Sequence, residues 1–112
     1  MKLDWFDAKS KCKDFGYNIL AIKSKDENAA IQNILKNHSE DFAIGGFGFE
    51  VDGIWRWDGD REPLTYVNWI SGEPVANSLK YCAYIRSNDG LWKTSDCDNE
   101  TLFICQQISS EQ

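Results

Sequence analysis

Residues 81–97, YCAYIRSNDGLWKTSDC, contain the pattern that decides the fold. Two strand-like runs, YCAYIRS and GLWKTSDC, stand on either side of Asn88-Asp89-Gly90. Asparagine, aspartate and glycine are favoured in the tight turns that join antiparallel strands, because they tolerate unusual backbone angles. The segment therefore predicts a β-hairpin with a cysteine near each end.

The cysteines of the chain indicate disulfides rather than a metal site. Four cysteines in 112 residues are typical of a chain from an oxidising compartment. Zinc is disfavoured, because the sequence has no Cys-x-x-Cys pair and His38 is its single histidine. The sequence alone leaves three pairings of the four cysteines open. Two N-x-S/T triplets, at Asn37 and Asn99, are candidate glycosylation sites and fit a secreted setting.

Length and charge narrow the class of protein further. The 112 residues fit one domain over 1–108 followed by a polar tail over 109–112. A net charge of −6 argues against a nucleic-acid partner, since such proteins carry a basic surface. The sequence has neither a signal peptide nor a long apolar run, so no membrane attachment is expected within this segment.

The N-terminal third of the sequence predicts two helices. In the first, Trp5, Ala8, Cys12 and Phe15 recur on one face, with Asp4 capping the start and Gly16 the end.

The second helix begins at a capping box, Ser24-Lys25-Asp26-Glu27, in which the serine and glutamate side chains bond each other's backbone N–H groups. Its predicted buried face carries Ala30, Ile31, Ile34 and Leu35, and it ends near Asn37. The run YNILAI between the helices predicts a strand.

After Asp41 the sequence changes to glycines, aromatic residues and short alternating runs. GIWRWDG predicts a strand with Trp55 and Trp57 on one face, and TLFICQQI predicts a final strand. Helices followed by strands indicate an α+β fold with small antiparallel sheets.

The order and spacing of several short motifs resemble those of a C-type lectin-like domain. The motifs are WFDAKSKC, LAI, AIGG, WRWDG, YVNW, GEP, YCAYI, GLW and LFIC, and the resemblance covers residues 5–106. It implies the C-type lectin-like fold, with two helices packed on small antiparallel sheets, a long loop region and two disulfides. The implied bridges are nested, Cys12 to Cys105 and Cys82 to Cys97. It also implies that Trp55, Trp57, Trp69 and Trp92 are core residues.

The resemblance also supplies expectations for a calcium site. Sugar-binding members hold calcium with Glu-Pro-Asn in the long loop, a glutamate shortly before a cysteine, and Asn-Asp after a tryptophan. In this sequence Glu73 and Pro74 match the first two positions, but Val75 replaces the asparagine. Lys80 stands at the second glutamate position, and Lys93-Thr94 replaces Asn-Asp.

These replacements disfavour calcium at the family's usual position. A hard cation needs several oxygen ligands. In this sequence Glu73 is the one carboxylate of the pattern that remains, and the ammonium groups of Lys80 and Lys93 are expected near it. Lys80 is expected to pair with Glu73 or Asp96. The positions of the family's second calcium site match Gly48, Asp52, Ala76 and Tyr81, of which Asp52 alone is acidic. No cofactor is therefore expected, and the weak metal candidates are Glu73 and Asp96.

The leading functional prediction is a recognition module that binds a protein or another ligand without calcium. The predicted ligand-binding residues on the long-loop face are Glu73, Asn77, Lys80, Lys93 and Thr94. Phe47 and Phe49 lie in a glycine-rich segment, where they either form an exposed recognition patch or fill the core. The alternative is a lectin that binds sugar weakly without calcium, or through a non-classical calcium arrangement of Glu73, Asn77 and Asp96.

An enzyme is not expected, because the chain has one histidine and no recognisable nucleophile–base arrangement. The predicted location is secreted, or the extracellular part of a membrane protein, as a monomer or a homodimer. One departure from the family concerns the short strand that precedes the first helix and pairs with the last strand. In this sequence Met1 to Asp4 occupy the position of that short strand. Either the strand is trimmed here, or the final strand TLFICQQI has an uncovered edge.

Overall fold

A computed structural model describes residues 1–48, 53–75 and 81–107. The elements in chain order are α1 (Trp5–Asp14), β1 (Tyr17–Ile19), α2 (Lys25–Leu35), β2 (Asp41–Gly48), β3 (Trp55–Trp57), β4 (Cys82–Arg86), β5 (Trp92–Ser95), β6 (Leu102–Phe103) and β7 (Cys105–Gln107). The predicted α+β class is confirmed. Within the described ranges no helix is long and apolar enough to cross a membrane.

The strands form two sheets. The larger has the order β3-β2-β4-β5 with antiparallel pairing, and β6 adds to β2 in parallel. The smaller consists of β1 and β7. The predicted hairpin is β4 and β5, paired from Cys82 with Ser95 to Ile85 with Trp92. At its turn the Asp89 carboxylate accepts a hydrogen bond from the Leu91 N–H at 3.0 Å, and Gly90 adopts a φ of 73°.

The C-terminal run forms two short strands rather than the single predicted one. Ile104 lies between β6 and β7 and bonds to both sheets. Its N–H donates to the carbonyl of Ala43 in β2, and its carbonyl accepts from the N–H of Leu20 just after β1. The run is therefore divided because it crosses from one sheet to the other. Its start is also covered, since Leu3 and Thr101 form an antiparallel bridge with two backbone hydrogen bonds.

Helix α1 has the predicted caps. The Asp4 carboxylate accepts from the Asp7 N–H at 2.8 Å, and Gly16 has a φ of 80°. Trp5, Ala8 and Cys12 are buried as predicted. The prediction for Phe15 is wrong, because this side chain is 67% exposed. The helix ends at Asp14, so the helical spacing no longer places the next residue on the buried face.

Helix α2 begins at Ser24, whose hydroxyl accepts from the Glu27 N–H at 3.1 Å. The return bond differs from the prediction, since the Glu27 carboxylate accepts from the N–H of Lys23 at 2.7 Å.

The predicted buried face of α2 is wrong at two positions. Ala30 is exposed and Ile34 is 68% exposed, whereas Asn28 and Leu35 are buried. The reason is a polar contact inside the core. The Asn28 amide accepts from the indole N–H of Trp92 at 2.8 Å and donates to the carbonyl of Gly90 at 3.1 Å. This pairing satisfies an amide that would otherwise be costly to bury, and it turns the helix toward Asn28.

Tryptophans occupy the centre of the larger core cluster, as the resemblance implied. Trp57 and Trp92 are 1% and 0% exposed and meet edge to face, with ring centroids 5.7 Å apart. Trp55 and Trp69 are half-buried and pack against the same cluster. A second cluster surrounds Trp5 and both disulfides.

Both bridges implied by the resemblance are confirmed. Cys12 is bonded to Cys105 across 93 residues, and Cys82 to Cys97 across 15 residues. All four cysteines are therefore used, and none is left as a thiol. The first bridge joins α1 to β7, and the second joins the start of β4 to the turn that follows β5.

Candidate functional site

The long loop, residues 65–81 before β4, is attached to β5 by backbone hydrogen bonds. Trp92 donates its N–H to the carbonyl of Asn68, and its own carbonyl accepts from the N–H of Ile70. A tight turn follows, in which the Glu73 N–H donates to the Ile70 carbonyl at 2.9 Å and Gly72 adopts a φ of 90°. Glycine is suited to this turn because other residues are strained at such a φ. The turn places Glu73 beside β5, and the Glu73–Pro74 peptide bond is cis.

The carboxylate of Glu73 is bonded to donors of its own chain. Its Oε1 accepts from the Thr94 hydroxyl at 2.5 Å, from the Thr94 N–H at 3.1 Å and from the Val75 N–H at 3.2 Å. Thr94 is buried and Glu73 is half-buried. Hydrogen bonds to an ionised carboxylate are about twice as strong as those between neutral groups. Glu73 therefore fastens the long loop to β5.

Thr94 occupies a position where the calcium-binding pattern has a ligand. Its hydroxyl acts as a donor to Glu73 and as an acceptor from the Val75 N–H at 3.2 Å. Val75, at the asparagine position, is 40% exposed and has a hydrocarbon side chain. A calcium ion takes six to eight oxygen ligands in proteins. Within the described ranges no group of three or more histidine, cysteine, aspartate or glutamate side chains is placed to hold a metal ion.

Lys93 does not lie beside Glu73, which corrects the expectation of two ammonium groups at this site. Its Nζ is 2.6 Å from a carboxylate oxygen of Asp41. Successive side chains of a strand point to opposite faces of the sheet. Because Thr94 faces Glu73, Lys93 faces the other way. Lys93 is thus part of an ion pair on the far face of the large sheet.

Several predicted site residues fall outside the described ranges. These are Phe49, Asp52, Ala76, Asn77 and Lys80. The predicted pairing of Lys80 with Glu73 or Asp96 therefore stays a prediction. Of the positions matched to the second calcium site, Gly48 and Tyr81 are joined by a backbone hydrogen bond of 2.7 Å, and Tyr81 packs against the second core cluster.

Asp96 stabilises the turn after β5. Its carboxylate accepts from the Asp98 N–H at 3.0 Å, and its carbonyl accepts from the Tyr84 hydroxyl at 3.1 Å. Burial raises the pKa of the Tyr84 hydroxyl well above its ordinary value, and the nearby carboxylates of Asp96, Asp4 and Asp98 raise it further. Tyr84 therefore stays a neutral donor, and the contacts of Asp96 are those of a structural residue.

Phe47 packs against the core rather than standing in an exposed patch. Its ring stacks on Trp5 with centroids 5.0 Å apart and an interplanar angle of 15°. Phe6, which is 45% exposed, meets it edge-on at 6.4 Å. Both candidate glycosylation sites, Asn37 and Asn99, are exposed, and the Asn99 amide donates to the Ser95 hydroxyl at 2.8 Å.

Replacing Thr94 by valine is expected to lower the free energy of unfolding by about 1–3 kcal/mol. The change removes the hydroxyl from Oε1 of Glu73 and leaves this half-buried carboxylate with fewer donors. Urea denaturation of the variant beside the wild type measures the effect. Thr94→Ser keeps the hydroxyl and is the matched control, so a valine variant as stable as the serine variant would contradict the assigned role.

Comparisons with known proteins show the family to which the chain belongs. The family described as Lectin C-type domain matches residues 1–107. Human C-type mannose receptor 2 is 31% identical over 106 residues, which are 94% of this chain and 7% of that protein. The secretory phospholipase A2 receptor of Bos taurus is 28% identical over 109 residues, again 94% of this chain and 7% of that protein. The chain thus spans a small part of these relatives' length.

Solved structures show the same fold. The carbohydrate-recognition domain of the mouse scavenger receptor C-type lectin superposes with a TM-score of 0.85 at 28% identity, covering 98% of this chain and 86% of that one. A calcium-independent type II antifreeze protein gives a TM-score of 0.81 at 26% identity, with 93% and 78% coverage.

Proposed function

Because the chain belongs to the C-type lectin domain family, we propose that it is an extracellular recognition module that binds its ligand without calcium at the family's usual position. The observation that carries the proposal is the state of Glu73. Its Oε1 is bonded to Thr94 and Val75, which are the chain's own donors at positions where the sugar-binding pattern has calcium ligands.

Calcium at this position would have to compete with those bonds. The ion requires several oxygen ligands at once, and Val75 supplies none from its side chain. Moving Glu73 onto an ion would leave the Thr94 N–H and hydroxyl without their present acceptor. An unpaired buried donor costs about 1–3 kcal/mol. An ion bound by few ligands would have to offset that cost.

The proposed contact surface is the long-loop face around Glu73. Pro74 and Val75 are exposed there, and Asn77 and Lys80 follow in the sequence. Lys93 is not part of this proposed surface, because it pairs with Asp41. The ligand that we propose is a protein or another surface that contacts these side chains directly. The proposed role of the chain is recognition rather than catalysis.

The proposed location is outside the cell, as a secreted protein or the extracellular part of a membrane protein. Two disulfides support an oxidising compartment. Several relatives are named as receptors, among them C-type mannose receptor 2. Whether the chain acts as a monomer or a homodimer is decided by its sedimentation mass at two concentrations.

A carbohydrate ligand is the second candidate. It is favoured by the names of two similar proteins, a mannose receptor and a carbohydrate-recognition domain. In this alternative sugar binds weakly by aromatic stacking and hydrogen bonds, or through a non-classical calcium arrangement of Glu73, Asn77 and Asp96. A glycan array run with and without chelator separates the two, because retention that chelator releases would support the calcium arrangement and contradict our proposal.

Calorimetric titration with calcium is expected to show no saturable binding tighter than about 1 mM, because too few oxygen ligands are present. Binding tighter than that, lost in Glu73→Ala, would overturn the proposal.

The chain also offers a positive control for this titration. A variant with Val75→Asn, Lys80→Glu and Thr94→Asp carries three residues of the sugar-binding pattern around Glu73, and it leaves the Lys93–Asp41 pair intact. It is expected to gain calcium affinity over the wild type, provided that thermal unfolding shows it to be folded. If the wild type binds calcium as tightly as this variant, the replacements do not matter and the proposal fails.

A further inference from the structure

A second concave site lies away from the long loop. It is a cavity of about 420 Å³ between β1, β7, the start of α2 and the turn after β3. We call it the amide cavity, and it is lined by Asn18, Ile19, Ala21, Lys23, Glu27, Gly59, Asp60, Gln106 and Gln107. Its volume falls within the range of small-molecule sites, about 300–1,000 Å³. Glu73, Val75 and Thr94 are not among its lining residues.

The amide cavity is lined by one cation, Lys23, and two carboxylates, Asp60 and Glu27. The Lys23 ammonium is hydrogen-bonded to the Asp60 carboxylate, which also accepts from the Glu62 N–H at 2.9 Å. Partial burial alone would raise the pKa of Asp60, but the hydrogen bond from Lys23 and that backbone N–H lower it below its ordinary value. Glu27 uses one oxygen to accept from the Lys23 N–H. This lining suits neither a strongly anionic nor a strongly cationic ligand.

Three carboxamides dominate the remaining polar lining. Gln106 is oriented by its Oε1, which accepts from the Ala21 N–H at 3.1 Å, so its NH₂ group keeps two donors for other partners. Gln107 is exposed. The Asn18 amide forms no hydrogen bond to any residue in the part of the chain that the structure describes. Each carboxamide presents donors and an acceptor in one plane.

Gly59 leaves space for the Asn18 amide because glycine has no side chain. A Cβ at position 59 would lie 2.7 Å from Nδ2 of Asn18, closer than real Cβ atoms approach. The φ of Gly59 is not among the positive ones, so its backbone does not by itself require glycine. The Asn18 side chain lies so close, however, that a Cβ at position 59 would force it to shift. An amide held against a glycine, beside a cavity and without a described partner, is placed to bind a ligand.

We propose that the amide cavity binds a neutral, polyhydroxylated compound of monosaccharide size. A hydroxyl is both donor and acceptor, so adjacent hydroxyls match a carboxamide that offers both in one plane. With one ammonium group and two carboxylates the lining disfavours a phosphate, and two carboxylates, one of them paired with Lys23, are too few for a metal ion. This site needs neither calcium nor Glu73, so it is independent of the function proposed above.

Amide NMR in the presence of EDTA tests the proposal, with D-glucose, D-mannose, D-galactose and N-acetyl-D-glucosamine as probes at up to tens of millimolar, roughly ten times a Kd of about 1 mM. At least one sugar is expected to shift the backbone signals of Asn18, Gly59 and Gln106 in a saturable way. Absence of saturable shifts with all four would overturn the proposal, as would shifts confined to Glu73, Val75 and Thr94. The second result would instead favour the lectin alternative at the long loop.

Two variants and a control localise the binding. Asn18→Ala is expected to weaken it about fivefold, the effect of losing one hydrogen bond. Gly59→Ala is expected to weaken it as well by displacing the Asn18 amide, while the other lining residues stay. Asn33→Ala, an exposed asparagine of α2 outside the cavity, is the matched control and should bind as the wild type does. Equal affinity in all three folded variants would contradict the site.

Discussion

Replacing Trp92 by alanine is expected to lower the free energy of unfolding by about 3–5 kcal/mol, as truncation of a large buried aromatic residue does. Trp92 is 0% exposed and meets the rings of Trp57, Tyr66 and Trp69 edge to face. Its indole N–H also donates to Asn28. The substitution therefore opens a cavity in the core and leaves the Asn28 carbonyl oxygen without its donor. Guanidinium denaturation measures the loss.

Three further variants divide this effect. Trp92→Phe keeps a ring in the core but removes the N–H donor, so a smaller loss is expected, about 1–3 kcal/mol for the unpaired amide and the residual void. Val67→Ala changes an exposed side chain and is the surface control. If Trp92→Ala costs no more than Val67→Ala, then Trp92 is not the centre of the core. If the loss in the Asn28→Ala/Trp92→Phe double variant equals the sum of the two single losses, the hydrogen bond between these side chains contributes nothing.

Removing the Cys12–Cys105 bridge is expected to cost about 4–5 kcal/mol, because the bridge constrains nearly the whole unfolded chain. The two cysteines are 93 residues apart, and both are replaced by alanine in the test variant. Removing the Cys82–Cys97 bridge, across 15 residues, should cost about 3 kcal/mol. Denaturation of both double variants under one set of conditions measures the difference.

The order of the two losses is the informative result. The inner pair serves as the matched control, because it removes the same number of sulfurs from the same core cluster. A larger loss for the inner pair would contradict the loop-entropy explanation. It would indicate instead that packing around Cys82 and Cys97 dominates the stability of the hairpin.

Local sequence signals predicted the helices, the hairpin and the α+β class, but they predicted no strand at β2, which pairs with three other strands. The hairpin followed from Asn88-Asp89-Gly90, and both helix starts followed from their capping residues, Asp4 and Ser24. The disulfide pairing needed the family resemblance, since spacing alone left three pairings open. The final strand was predicted as one element because the hydropathy pattern does not reveal that Ile104 forms hydrogen bonds to both sheets.

The buried face of α2 was mispredicted because hydropathy treats asparagine as a surface residue. Asn28 is buried, and its tertiary partner Trp92 is 64 residues away, so no local pattern reveals the pairing. The amide cavity was missed for the same reason, since its lining comes from three separated stretches of sequence, residues 18–27, 59–60 and 106–107.

The orientation of Lys93, in contrast, was present in the sequence. Trp92 was predicted to be a core residue, and side chains alternate along a strand. Thr94 must therefore share a face with Trp92, and Lys93 must point away from it. The structure has this arrangement, with Thr94 on Glu73 and Lys93 on Asp41. The partnership of Glu73 with Thr94 itself depends on how the loop is attached to β5, which the sequence does not specify.

The central claim is that the Glu73 carboxylate serves as an internal hydrogen-bond acceptor rather than as a calcium ligand. Amide NMR with calcium chloride raised to about 10 mM, roughly ten times the weakest affinity of extracellular calcium modules, tests it most directly. The backbone signals of Thr94 and Val75 report on the bonds to Glu73, and we expect them to stay where they are in calcium-free buffer. Saturable shifts centred on those two signals, absent from Glu73→Ala, would contradict the claim.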